Sequence, residues 1–432
     1  MNKVMFSPKP VFDTMDEIIT QYKSCQNNNR PQNIIKHWLN HCFTESTVNP
    51  PSYAVRDYQW ALTFLYSYRG SKDTFGAYRR ELERFLQWSW FVKNQPVLKH
   101  KRQNIEEFAE FCMDPPRRWI GLKNVARFKT VNGERKPNKD WKPFVVQVSK
   151  KAFQQGKKPD KQEFQCSHTA MKVMFNILSS FYNYLMQEEV TQMNPVALIR
   201  QKSKFIRKEA HAPVVRRLSE TQWQMILQIT EEKTQEDKQA ERTLFILSCL
   251  YSMYLRISEL ITTSRCSPTM NNFIKDQEGN WWFRTVGKGN KARQIAVSPS
   301  MLKALRRYRT QYLALSPYPL PDENLPLIGC ANNANRPLTS DRPLRKCVQA
   351  CFDEAADKLT RQGEQHEADL LRSATVHWLR HTGISEDVKI RPREHVRDDA
   401  GHSSSAITDR YIDIELQERA KSARKKVINK NE

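Results

Sequence analysis

Transferring a phosphodiester without water needs three things: a nucleophile, fixed donors for the equatorial oxygens of the pentavalent phosphorane, and an acid for the departing oxygen. Four separate stretches in the second half of the sequence carry side chains of these types. In Tyr254-Leu-Arg-Ile-Ser-Glu-Leu260, Arg256 interrupts the end of a markedly apolar segment. In Gly287-Lys-Gly-Asn-Lys291, two lysines sit in a turn whose glycines allow close backbone approach. In His377-Trp-Leu-Arg380, the i,i+3 spacing puts His377 and Arg380 on one helical face. Gly401-His402 is followed by Tyr411, the only tyrosine after Tyr318. Arginine suits the clamping role because it is always charged and presents forked donors. Each stretch alone has a plainer reading. Arg256 could simply pair with Glu259, the Gly-rich turn could be surface, and Tyr411 could be a packed amphipathic ring.

Taken together, the order Arg256, Lys288, His377-x-x-Arg380, His402, Tyr411 resembles the tyrosine site-specific recombinase (phage integrase) family. The resemblance covers residues 218–411 in detail, and the pattern from Ser71 to Arg200 looks like the helical core-binding domain that this family places first. It implies a mainly α fold with a small antiparallel β-hairpin or sheet: a helical, SAM-like core-binding domain followed by an integrase-type catalytic domain. It further implies that Arg256 and Arg380 clamp the non-bridging oxygens, with His402 donating a further hydrogen bond. On the same resemblance, Lys288 would protonate the leaving 5′ oxygen, with Lys291 a close competitor on the same turn. His377 would assist proton transfer from Tyr411, which would form a 3′-phosphotyrosyl bond. Because that bond conserves the phosphodiester energy, no metal or nucleotide cofactor is expected. Three features depart from the family pattern: Ala400 where leucine commonly precedes Gly-His, an unusually charged stretch Lys389–Asp399, and a long interval from Arg256 to His377.

These groups need elements to hold them. The segment Thr243–Leu255 is uncharged and bounded by Arg242 and Arg256; it is too short to span a membrane and reads as a buried helix. Ser219 with Gln222 forms a capping-box pattern that opens the catalytic domain. Trp281–Val286 and Gln294–Val297 read as two strands flanking the Gly-rich turn, and helices are expected over 300–315, 344–359 and 377–388. Upstream, Phe75, Tyr78, Leu82, Phe85, Leu86 and Ser89 repeat at helical spacing with Lys72, Arg79, Arg80 and Arg84 on other faces, a helix with one core side and one basic side. The expected organisation is an N-terminal helical extension over 1–65 with no assigned job, a core-binding domain over 66–199, a basic interdomain linker over 200–217, the catalytic domain over 218–414, and a basic tail over 415–432. A basic insertion over 123–161 carries Asn132-Gly133, a hairpin signal, and reads equally as a DNA-contacting loop or a solvated one.

Composition points to the same partner. The 432 residues hold 70 Lys and Arg against 47 Asp and Glu, a formal charge of +23, which asks for a polyanion. Double-stranded DNA is the leading candidate, with an anionic membrane surface second. Candidate DNA contacts are Arg79, Arg80, Lys202, Lys204, Arg207, Lys208, Lys291 and Arg293. A phosphate-tracking linker is favoured over a merely solvated strip. The resemblance adds a homotetramer on paired sites, with accessory DNA-bending or directionality proteins, in integration, excision or transposition of a mobile element. The N-terminus lacks the apolar core of a signal peptide, so a cytoplasmic, nucleoid-associated location in a bacterial cell is expected. The nine cysteines include no C-x-x-C pair and read as small apolar residues rather than metal ligands. Two rivals remain: a type IB topoisomerase, similar at the Arg, Lys, Arg, His and Tyr positions, and a non-enzymatic DNA-binding protein of the same fold.

Overall fold

The computed structural model describes residues 7–43, 50–148, 152–153, 156–197, 199, 216–287, 290–402 and 423–424. The chain divides into two compact units, Met1–His211 and Ala212–Glu432.

The first unit is helical: α1 (Met15–Gln26), α2 (Pro31–Phe43), α3 (Ser52–Ser67), α4 (Lys72–Trp88), α5 (Arg102–Met113) and α6 (His168–Gln187). On α4, Phe75, Leu82, Phe85 and Leu86 are buried at the expected spacing. One expectation is corrected here. Residues before 66 do not form a separate extension, because Phe12, Ile18, Ile35, Leu39 and Tyr58 are buried in the same apolar cluster as Phe85 and Phe181. The patches around Trp38 are too short to bury themselves, and docking on α3 and α4 is how they leave water.

Between α5 and α6 run four short strands: β1 (Ile120–Gly121), β2 (Phe128–Val131), β3 (Glu134–Pro137) and β4 (Phe144–Val145). β2 and β3 pair antiparallel from Phe128↔Pro137 to Val131↔Glu134, and β1 pairs with β4 in parallel. Asn132 (φ 52°) and Gly133 (φ 79°) turn the hairpin, both left-handed as a two-residue primed turn requires.

The second unit holds α7 (Glu220–Lys233), α8 (Gln239–Ser252), α9 (Pro299–Arg307), α10 (Arg342–Arg361), α11 (Gln365–Ser373), α12 (His377–Asp387) and α13 (Arg393–Ala400). The capping box is present: Gln222 N donates to Ser219 Oγ at 3.2 Å, and Ser219 N to the Gln222 side chain at 3.0 Å. Leu244 to Leu247, Cys249 and Leu250 are all buried, so α8 is the central helix of its core. No described helix is long and apolar enough to cross a membrane. A three-stranded antiparallel sheet, β5 (Phe273–Lys275), β6 (Trp281–Val286) and β7 (Ala292–Ala296), places the Gly-rich turn between its last two strands. A small hairpin, β8 (Gly329–Cys330) with β9 (Asn333–Pro337), precedes α10. The cysteines are free thiols, and Cys42, Cys112 and Cys249 are buried.

Candidate active site

The site grows from the C-terminal end of α8. After Met253 caps that helix, Tyr254 takes a left-handed conformation (φ 50°), unusual for a bulky residue, and turns the chain so that Arg256 opens a single 3-10 turn ending at Glu259. Glu259 accepts from Arg256 N at 2.8 Å and from Arg256 Nη1 at 3.0 Å. The pairing anticipated as the plain reading of Arg256 is therefore real. It is only part of the arrangement, because the same carboxylate is held by both Nη atoms of Arg293 on β7, at 3.0 and 2.8 Å.

Arg293 thereby corrects a second expectation. Proposed from sequence as a DNA contact, its side chain is 8 % exposed and its Nε donates to the Asp399 carbonyl at 3.0 Å. It ties the sheet to α13 and to the turn of Arg256, with both Nη atoms taken up by Glu259. Two glycines make room for it. A Cβ at Gly287 would lie 2.7 Å from Arg293 Nη1, and one at Gly401 would lie 2.9 Å from Arg293 Cδ. Gly401 also ends α13 in the left-handed region (φ 65°).

Arg380, on the first turn of α12, is 2 % exposed. Its guanidinium donates to the Tyr254 carbonyl and, at 2.5 Å, to the Ala400 carbonyl. The two backbone segments that carry Arg256 and His402 are thus tied to one side chain. Beneath them lies a network that sequence reading missed. The Tyr254 hydroxyl donates to Asp387, and Arg391 donates to the Tyr254 hydroxyl at 3.0 Å and to Asp399 Oδ2 at 2.6 Å. Asp399 Oδ1 accepts from Ala296 N at 3.2 Å. The charged stretch that departs from the family pattern supplies two of these groups, Arg391 and Asp399, so its polarity has a structural cause. The signal was present in the sequence as that departure, but the partners were not.

His377 and His402 share the field of these arginines. His377 is exposed by area, yet partial desolvation of its imidazole by the packed neighbours lowers its basicity first, and the charges of Arg380, Arg256 and Arg345 lower it further. His402 is pushed down to about 4 by burial and then by Arg380, Arg256 and Arg293. Glu259 moves the other way: burial raises it, yet the Arg293 hydrogen bonds and the charge of Arg256 hold it below the usual carboxylate value. A neutral His402 remains a hydrogen-bond donor, and the fixed guanidinium charges favour an anion beside it. In the free protein, His402 should therefore stay unprotonated throughout pH 5–8. A two-dimensional imidazole 15N spectrum recorded across that range checks this, and an ordinary titration near 6.5 would contradict it.

Of the sequence candidates, His377 and His402 are thus both brought within electrostatic reach of Arg256 and Arg380. Lys291 is exposed, its carbonyl closing the turn by accepting from Gly287 N at 2.9 Å. Lys288 and Tyr411 lie outside the described residues, as do Lys202, Lys204, Arg207 and Lys208. In the first unit, Arg80 is exposed and paired with Glu81 at 2.8 Å, while Arg79 donates to the Asp13 carbonyl. The basic face expected of α4 is in fact partly folded onto a buried acid: Glu81, 3 % exposed, binds both Arg80 and Arg84.

No protein-family model and no curated protein matches the chain. Solved structures do. The site-specific recombinase XerH in a post-cleavage complex with a palindromic difH substrate aligns over 96% of this chain and 98% of its own, at 13% identity and a TM-score of 0.53. The Tn1549 transposon integrase with transposon right-end DNA aligns over 86% and 99%, at 15% identity and 0.49. A lambda integrase dimer on a core site aligns over 81% and 96%, at 12% identity and 0.45. On the XerH likeness, the chain has the mainly helical fold of the tyrosine site-specific recombinases, with the small β-sheet of their integrase-type catalytic domain.

Proposed function

We propose that this protein is a tyrosine recombinase that cleaves and rejoins double-stranded DNA at specific sites through Tyr411. The observation that carries the reading is the convergence of Arg256, His377, Arg380 and His402, from three separate stretches of sequence, in one electropositive site of a recombinase-type fold. Arg256 and Arg380 would hold the non-bridging oxygens of the scissile phosphate, and His402, neutral, would donate a third hydrogen bond. The Tyr411 oxygen attacks phosphorus, the bond to the 5′ oxygen breaks, and a 3′-phosphotyrosyl bond forms. The phenolic proton leaves with help from His377, whose depressed basicity rises again once the phosphate's negative charge arrives. Lys288, or Lys291 from the same turn, supplies the proton that the departing 5′ oxygen takes up. A 5′ hydroxyl from a partner strand reverses the sequence.

The domain roles follow. The first unit would bind DNA as a core-binding domain, residues 200–217 would track phosphates as a linker, and residues 415–432 would dock on a neighbouring copy in a tetramer on paired sites. Integration, excision or transposition of a mobile element, with accessory bending proteins, is the setting this chemistry suits. The test is a substrate trap. DNA flanking the protein's own gene is cleaved and mapped, and the mapped site is rebuilt with a nick near the cleaved bond. Wild-type protein should then accumulate a covalent adduct through the 3′ phosphate. A verified binding site that yields no adduct would leave only the non-catalytic reading, and relaxation of a supercoiled plasmid without strand exchange would favour the topoisomerase.

A further inference from the structure

The basic insertion builds something with α4 that the proposed chemistry does not use. A cleft of about 580 Å³ lies in the first unit, walled by α4, by the segments that flank the β2–β3 hairpin, and by the first turn of α6. Five cationic side chains line it, Arg79, Arg80, Arg84, Arg127 and Lys142, against one carboxylate, Glu81. Its volume falls in the range of small-ligand sites, and its walls are predominantly polar.

The cations are held in place by the fold. Arg84 donates Nε to the Pro143 carbonyl at 2.8 Å and Nη1 to Glu81 at 2.9 Å, with its guanidinium 4.6 Å from the centre of the Phe144 ring. Arg127 pairs with the buried Glu83 and lies 5.0 Å from the Trp141 ring centre. Lys142 reaches Ser7 Oγ at 3.4 Å and the Lys139 carbonyl at 3.2 Å. Arg79 donates to the Asp13 carbonyl, and its Nε is buried with no hydrogen-bond partner among the described residues. Burial and the charge of Arg127 push Arg79 down to about 10, the direction expected of a cation crowded by another cation. Ser167, Thr169 and Ala170 bring the positive end of the 20-residue α6 to the same wall. Forked donors on a rigid frame, stacked on aromatic rings, match a phosphate better than a carboxylate-rich or apolar ligand.

We propose that this cleft is a phosphate-binding site, formed by the insertion and α4, that takes a free polyphosphate or nucleotide. It is independent of the phosphotyrosyl chemistry, since none of its residues belongs to the catalytic unit.

The full-length protein is titrated calorimetrically with sodium tripolyphosphate, and its affinity for a random 20-bp duplex is measured over a salt series. Three forms are compared: wild type; Arg80→Gln with Lys142→Gln; and Lys23→Gln with Lys36→Gln, which removes the same charge from exposed positions on α1 and α2. If the ligand is a free phosphate compound, tripolyphosphate binds at one site and the cleft variant weakens it by about tenfold or more, while the control stays near wild type. A cleft variant that keeps tripolyphosphate affinity but alone lowers duplex affinity and reduces the salt slope by about one to two overturns the proposal, because the cleft then contacts only a DNA phosphate. Cleft and control variants that behave alike in both titrations overturn the proposal. Should the double variant melt early, Lys142→Gln alone is read in the same way. DNA cleavage enters neither measurement, so failure of the recombinase reading and failure of this site are seen separately.

Discussion

Tyr411→Phe is expected to abolish the covalent DNA adduct while leaving affinity for the same duplex within about twofold. The reason for the split is chemical. The substitution deletes one oxygen, and no other tyrosine follows Tyr318, so no neighbouring phenol in that part of the chain can replace it. Affinity comes instead from many cations on a chain of net charge +23, and the ring contributes no charge at neutral pH. Trapping on the nicked substrate followed by denaturing electrophoresis reads the first half, and gel-shift titration at fixed salt reads the second. An adduct that survives in the Phe variant would move the nucleophile elsewhere. Equal loss of binding and adduct would mean that the ring packs into the fold and that the chemistry has not been isolated.

Glu259→Gln should cost the second unit about 3–5 kcal/mol of stability at neutral pH, because it leaves buried guanidinium charge without its counter-ion. The carboxylate is 4 % exposed, and Arg293, at 8 %, has both its Nη atoms on it. The pH dependence gives the sign. The folded-state value of Glu259 lies below the ordinary one, so its contribution is fully present above about 4.3, the unfolded value, and is lost as pH falls through the folded value. The gap between wild type and variant should therefore be widest at pH 7 and narrow below pH 4. Denaturant unfolding at the two pH values measures it, and a gap that is small or independent of pH would refute the counter-ion role. Cleavage should slow by about a hundredfold as well, the scale of losing one fixed donor, since Arg256 is aimed by the same carboxylate. Single-turnover adduct formation under conditions where the variant is folded separates that loss from instability.

Much of this architecture was legible because it is local. The Ser219–Gln222 cap, the left-handed Asn132-Gly133 turn and the two strands around Gly287 all follow from residues within a few positions of one another. The order of Arg256, His377, Arg380 and His402 was likewise readable, and it named the groups that the fold brings together. What the sequence could not decide is which cations face a ligand and which are consumed inside the protein. Arg293 and Arg256 look alike in the chain. Arg293 is spent on Glu259, 34 residues away, and on Asp399, 106 residues away, and neither spacing carries a periodic signal. The same holds for Asp387, Arg391 and Asp399, which look like a solvated run until Tyr254 is turned to meet them. It holds for α1 and α2 too, which gain a core only where α3 and the rest of the first unit supply one. Helical and strand periods report the face a residue shares with its neighbours, whereas the fate of a charge depends on the counter-charge that tertiary packing brings to it.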